Sequence, residues 1–190
     1  MTRFSAVLDA CVLAPMPIAD TLLTTASKDL YAPLWQQEIL DEVSIALSRI
    51  NPKLDCQQAE LRLSKMNEAF PLACVVGWEV ELSNIRTVLP DPKDAHVFAV
   101  ALHSRSSLIV TANISDFPTE VLAAFEVEAK SPDEFLLDLL DLDRDLVVDS
   151  VVEQHRRLTN PPVDSMVFLQ TLSIDAPVFV EEIKRDFLSS

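Results

Sequence analysis

One glycine, Gly77, serves all 190 residues, and that scarcity constrains the fold more than any other feature of the chain. A dinucleotide-binding G-x-G-x-x-G turn and a Walker phosphate loop both need glycines where backbone must approach a ligand closely, so both are excluded. An apolar fraction of 49% over this length supports one domain with a proper core and a small helical appendage. The longest apolar runs, such as Val97 to Leu102, fall far short of the roughly 20 residues of a membrane span, and no charged-then-apolar leader opens the sequence. The expectation is a soluble, unexported protein without a membrane partner.

Cys11, Cys56 and Cys74 are odd in number and lack C-x-x-C spacing, which points away from disulfides and structural zinc and toward a reducing cytoplasm. The net charge of −15 argues against unaided binding of nucleic acid, where neutralisation of phosphates by Lys and Arg supplies most of the affinity. A nuclease tolerates such a charge only if divalent cations neutralise an acidic site and local bases line the path to it. The same charge suits a basic partner.

Two short apolar runs, Phe4 to Leu8 ending at Asp9 and Leu108 to Thr111 ending before Asn113 and Asp116, read as buried parallel strands. Between them lie amphipathic stretches at Ile18 to Ala26, Gln36 to Ile50, Cys56 to Phe70 and Asp94 to Arg105, and Phe125 to Val127 is read as a last strand. Strands interleaved with helices predict an α/β fold with right-handed crossovers and a central parallel sheet flanked by helices. Ser131-Pro132-Asp133-Glu134 is a capping box that starts a helix through about Leu140. Beyond it, Leu146 to Leu158, Val163 to Leu172 and Val178 to Leu188 read as helices separated by proline-bearing turns. The division expected is residues 1–140 for the α/β part and 141–190 for a helical C-terminal extension.

Several acids sit where acids are costly. Asp9 ends a buried strand, and the carboxyl ends of parallel strands are where ligands collect in open α/β sheets. Glu42 falls within the apolar stripe of Ile39, Val43, Ala46 and Ile50, where an unpartnered carboxylate costs several kcal/mol in order of magnitude, whereas Asp41 falls on the polar face. Asp94 opens a helix on the stripe of Val97, Phe98 and Ala101, and Asn113 and Asp116 follow the second strand. Each has an ordinary alternative as a turn, cap or edge residue. Together they occupy strand ends and inward helix faces of one sheet, and converging oxygen ligands without a His or Cys set describe a site for Mg²⁺ or Mn²⁺.

With these residues in place the sequence resembles the PIN-domain family, and within it the VapC-like toxins. The resemblance runs in family order over roughly residues 3 to 135. It is carried by Leu8-Asp9-Ala10-Cys11-Val12-Leu13, by Glu42 in Ile39-Leu40-Asp41-Glu42-Val43, by Asp94-Ala95-His96-Val97-Phe98-Ala99-Val100-Ala101, and by Val110-Thr111-Ala112-Asn113-Ile114-Ser115-Asp116-Phe117. Cys11 stands where many members have Asn, and Asn113 where many have an acid. The C-terminal helices look like the extension of a subset of VapC-like members.

The resemblance implies a metal-dependent endoribonuclease in which Asp9, Glu42 and Asp94 bind Mg²⁺, with Mn²⁺ an alternative, and Asn113 or Asp116 completes the set. Thr111 would hold Asp9 by a hydrogen bond, and a metal-activated water would cut RNA to leave a 5′-phosphate. It further implies the toxin of a type II toxin–antitoxin pair, a cognate antitoxin as partner, and a homodimer. Cys11 beside acids reads as a core thiol rather than a nucleophile. His96 and His103, seven apart, do not share a zinc on one helix face and read as surface histidines. Lys93, Arg49, Lys53, Arg62 and Arg105 are the bases available to guide RNA, although isolated bases are usually solvated surface.

Two other readings compete. A receiver-like signalling domain is suggested by Thr111-Ala112 and by Lys130 near Pro132, but it lacks paired acids after the first strand and an acceptor Asp in the region of Ala73 to Val76. A catalytically weak PIN scaffold that binds RNA or protein is suggested by Asn113 and by the charge.

Overall fold

The computed structural model describes residues 4–52, 54–85 and 89–189, and Lys53 lies outside the described residues. In chain order the elements are β1 (Ser5–Leu8), α1 (Ala10–Leu13), α2 (Met16–Ser27), β2 (Ala32–Leu34), α3 (Gln37–Ile50) and α4 (Cys56–Ala69). Then come α5 (Leu82–Ile85), α6 (Ala95–Ser104), β3 (Leu108–Val110), α7 (Thr119–Ala123) and β4 (Glu128–Lys130). The chain continues through α8 (Pro132–Leu142), α9 (Arg144–Arg157), α10 (Ser165–Leu172) and α11 (Pro177–Leu188). Short 3-10 turns occupy Trp78–Glu81, Pro92–Asp94 and Ile114–Asp116. This is an α/β fold with a parallel sheet and C-terminal helices. The chain forms two compact units, and neither is continuous: Met1–Pro15 with Tyr31–Ser131, and Met16–Leu30 with Pro132–Ser190.

The first unit is built on a sheet of order β2-β1-β3-β4 in which every pair is parallel. The two inner strands are covered on both faces, which is why Ala6-Val7-Leu8 and Ile109-Val110 read as unbroken apolar runs and are fully buried. Each large side chain so buried contributes roughly 1.5–3 kcal/mol. Val7 lies beside Ile109 and Leu8 beside Val110, and the Asp9 amide extends the ladder to the Val110 carbonyl at 3.1 Å. That register sets the ends of β1 and β3 side by side.

The edge strand β2 carries Pro33, which an edge position tolerates because one face of the ladder needs no donor. The strand read at Phe125 to Val127 is displaced: β4 begins at Glu128, because Glu126 adopts a left-handed φ of 59° that ends the preceding turn. Helix α6 is apolar on every side and is buried from Ala95 to Ala101, as such a helix must be. On α3 the buried residues are Ile39, Leu40, Val43 and Leu47, so the apolar face is rotated from the expected one, and Ile50 is 61% exposed. Helix α4 opens with a capping box, Asp55 accepting from the Gln58 amide and Gln58 reaching back to the Asp55 amide.

The second unit packs α2 against α9. Ile18, Ala19, Leu22 and Ala26 of α2 are buried, as are Val147, Val148 and Val151 of α9. Between them Thr21 Oγ1 donates to Gln154 Oε1 at 2.7 Å, and Gln154 Nε2 donates to the Pro17 carbonyl at 2.9 Å, so the buried amide is satisfied at both ends. Asp133 of α8 accepts from the Val178 and Phe179 amides, capping α11 from a neighbouring helix. Phe168, Phe187 and His155 stack in a cluster with ring centroids 5.2 to 5.7 Å apart. No helix is long and apolar enough to cross a membrane, among the described residues.

Candidate functional site

Because the first turn of α1 follows β1 directly, Asp9 is at once the last residue of the strand ladder and the N-cap of the helix. The residue is 7% exposed, and its carboxylate is met by three donors. The Ala10 amide donates to Oδ1 at 2.6 Å, while Thr111 Oγ1 at 2.7 Å and the Cys11 thiol at 3.1 Å donate to Oδ2. Thr111, at the end of β3, also accepts from the Asn113 amide at 3.0 Å, and Cys11 Sγ accepts from the Ala112 amide at 3.1 Å. The neighbouring strand ends are thus tied through one carboxylate. Burial first, and then the charge of Asp9, push the Cys11 thiol up to about 12, so the thiol stays protonated and serves as a donor.

Asp94 ends the Pro92–Asp94 turn and stands at the N-cap of α6, yet its side chain makes no capping hydrogen bond. The ordinary explanation for an Asp at a helix start therefore does not account for it. Its carboxyl is pushed up to about 6, first by burial and then by the charges of Asp116, Asp9 and Asp91. Asp116, from the turn after β3, and Asp9, from the end of β1, thus both act on Asp94 at the start of α6. Asn113, by contrast, is exposed.

Glu42 departs from its expected position. The rotated face of α3 leaves it at the edge of the buried stripe, with a side chain 43% exposed and Oε2 3.5 Å from His96 Nε2. His96 is itself a correction, for it is buried rather than on the surface, 4% exposed, with Nδ1 2.6 Å from the Lys93 carbonyl. Its burial was readable from the run Ala95 to Leu102, in which His96 is the one polar residue of a helix apolar all round. His103 is exposed, as expected, with Nδ1 3.8 Å from Glu81. Of the bases considered as guides for RNA, Arg62 is engaged with the Leu13 and Ala14 carbonyls at 2.5 and 3.0 Å, closing the C-terminus of α1.

The carboxylates that raise Asp94 offer oxygen donors and a repulsion that a divalent cation would relieve, which His96 offsets in part, so the acids suit a hard ion such as Mg²⁺ in kind. Among the described residues, no group of three or more His, Cys, Asp or Glu side chains is arranged to hold an ion. The acids are neighbours without forming a closed set of ligands.

Comparison with known proteins matches both parts of the chain. The PIN domain family matches residues 5–115, and the VapC50 C-terminal domain family matches residues 132–185. The chain is 34% identical over 97 residues to "Putative ribonuclease VapC50" of Mycobacterium tuberculosis (strain ATCC 25618 / H37Rv), an alignment covering 51% of this chain and 57% of that protein. The match thus spans little more than half the length of that relative. No solved structure matches the chain.

Proposed function

Since the chain belongs to the PIN-domain family, we propose that it is a metal-dependent endoribonuclease whose site is the acidic cluster at the ends of β1 and β3. The observation that carries this reading is Asp94: a carboxylate that caps nothing and is held near 6 by burial and by the charges of Asp116 and Asp9. Perturbed carboxylates of this kind concentrate at functional sites. The similarity to a protein named as a ribonuclease supports the choice of substrate.

In this reading Asp9, Glu42 and Asp94 would hold Mg²⁺ or Mn²⁺, with Asn113 or Asp116 completing the set. A bound divalent ion supplies a water of lowered pKa and offsets charge on the scissile phosphate. The remaining work belongs to the chain. Thr111 and Cys11, both donating to Asp9 Oδ2, fix that carboxylate so that Oδ1 and Oδ2 do not wander with the loop. The catalytic part lies within residues 1–140, and none of the proposed site residues falls in 141–190.

The test is cleavage of a mixed single-stranded RNA by wild type and by Asp94→Asn, each with Mg²⁺, Mn²⁺ or EDTA. Cleavage that needs metal and falls by at least about a hundredfold in the variant is expected, on the scale of losing a charge-stabilising group. Absence of cleavage by wild type with either metal would leave the binding-scaffold reading, which Glu42's engagement with His96 favours. Equal cleavage by both proteins would place the activity outside this cluster. We further propose that the protein is the toxin of a toxin–antitoxin pair, with an antitoxin that covers the acidic site with a basic segment. Expression of wild type should arrest growth and Asp94→Asn should not; equal arrest by both would sink the toxin role as a consequence of this site.

A further inference from the structure

We propose that the cavity next to the acidic cluster is a nucleobase pocket that receives one base of the RNA strand beside the phosphate being cut. The proposal rests on the ribonuclease reading and adds the part of the substrate that the site reads. The cavity has a volume of about 250 Å³ and is lined by Glu38, Trp78, Leu82, Pro92, Lys93 and His96. This is below the roughly 300–1,000 Å³ of pockets for drug-sized molecules, and suits a single ring system.

Its position follows from the elements that carry the acids. Lys93 immediately precedes Asp94, and His96 follows it by two residues at the start of α6. Glu38 lies one helical turn before Glu42 on α3. The pocket therefore borders Asp94 and Glu42 through their neighbours on the same elements.

The lining chemistry fits a base better than a phosphate. Trp78 supplies an aromatic ring, Leu82 and Pro92 supply apolar wall, and Glu38 and Lys93 supply an acceptor and a donor. Aromatic surfaces take bases by stacking, and polar groups at the rim read the base edges by hydrogen bonding. Phosphate would have to sit against Glu38, which opposes it. His96 is the buried polar side chain of the lining: its Nδ1 is spent on the Lys93 carbonyl, and its Nε2 has only a long contact, 3.5 Å, to Glu42 Oε2. A base edge offers donors and acceptors that can meet a ring nitrogen held by so long a contact.

The experiment uses the full chain in EDTA, so that no cleavage is involved. The indole N–H resonances of the two tryptophans are followed by NMR, with Trp78→Phe identifying which belongs to Trp78. AMP, GMP, CMP, UMP and ribose 5-phosphate are titrated separately. At least one nucleotide should shift the Trp78 resonance saturably, ribose 5-phosphate should not, and Glu38→Ala, at an exposed position, should weaken that nucleotide about tenfold or change which base binds best. No shift with any nucleotide would overturn the proposal, as would an equal shift with ribose 5-phosphate. A shift with arginine amide but not with nucleotides would assign the pocket to a protein side chain and overturn it too. Failure here with metal-dependent RNA cleavage intact removes only the pocket. Base binding without cleavage removes only the nuclease.

Discussion

At the scale of single residues, the behaviour of Asp94 is the feature with the most direct consequence. Its proton is held to about 6 against an ordinary value of 3.8, so the folded state binds that proton more tightly than the unfolded chain does. The sign follows: this group favours the folded state at low pH, and the advantage is lost as pH rises through about 6. Metal-free protein should therefore melt at lower temperature at pH 7.5 than at pH 5.5, with Mg²⁺ restoring part of the difference at pH 7.5. Asp94→Asn should flatten the pH dependence and remove the Mg²⁺ response, both readable from thermal melts. A Mg²⁺ response unchanged in the variant would show that the ion binds elsewhere. Asp94 and Asp9 could be singled out from sequence because each follows or opens an apolar run. The burial of His96 needed only its apolar neighbours. The partner of Glu42 was not legible, since α3 buries Leu40 and Leu47 in preference to Ala46 and Ile50, and that rotation is decided by what the helix meets rather than by its own pattern.

At the scale of elements, β1 and β3 were legible because strands buried on both faces have no choice but continuous apolar sequence. Strand β2 was not, because Ala32-Pro33-Leu34 is short and carries the residue that sequence reading counts against a strand. Strand β4 was placed three residues early because the aromatic Phe125 belongs to the turn. Helix α2 was correctly seen as amphipathic, but nothing in its sequence names the partner of its apolar face, since α9 lies more than a hundred residues away. The contact turns on Gln154, a 2% exposed side chain bonded to Thr21 and to the Pro17 carbonyl. Gln154→Ala should cost about 1–3 kcal/mol, because it deletes two hydrogen bonds of a buried side chain and leaves Thr21 Oγ1 and the Pro17 carbonyl only each other. Urea denaturation measures this, and pairing it with Thr21→Val should cost less than the sum of the two single changes. Strict additivity would mean the two side chains do not interact across the helices.

At the scale of the whole molecule, the two compact units interleave in sequence, with Met16–Leu30 belonging to the unit otherwise formed by Pro132–Ser190. A fragment of residues 1–140 should accordingly expose Ile18, Ala19, Leu22 and Ala26 and associate further than the full chain does. Size-exclusion chromatography distinguishes them, and a well-behaved monomeric fragment would mean that α2 finds other cover. The −15 charge belongs to this scale as well. It makes any RNA contact depend on local neutralisation, so the proposed ribonuclease activity should be sensitive to the divalent-ion concentration beyond what one bound ion requires. The interleaving also sets a clock. During synthesis Thr21 emerges 133 residues before Gln154, its partner across the helix pair, and at roughly 5–20 residues per second that interval is about 7–27 seconds. For that time the growing chain carries the strand that ends in Asp9 together with an apolar helix whose mate has not yet been made. Whatever accompanies the chain off the ribosome meets α2 bare.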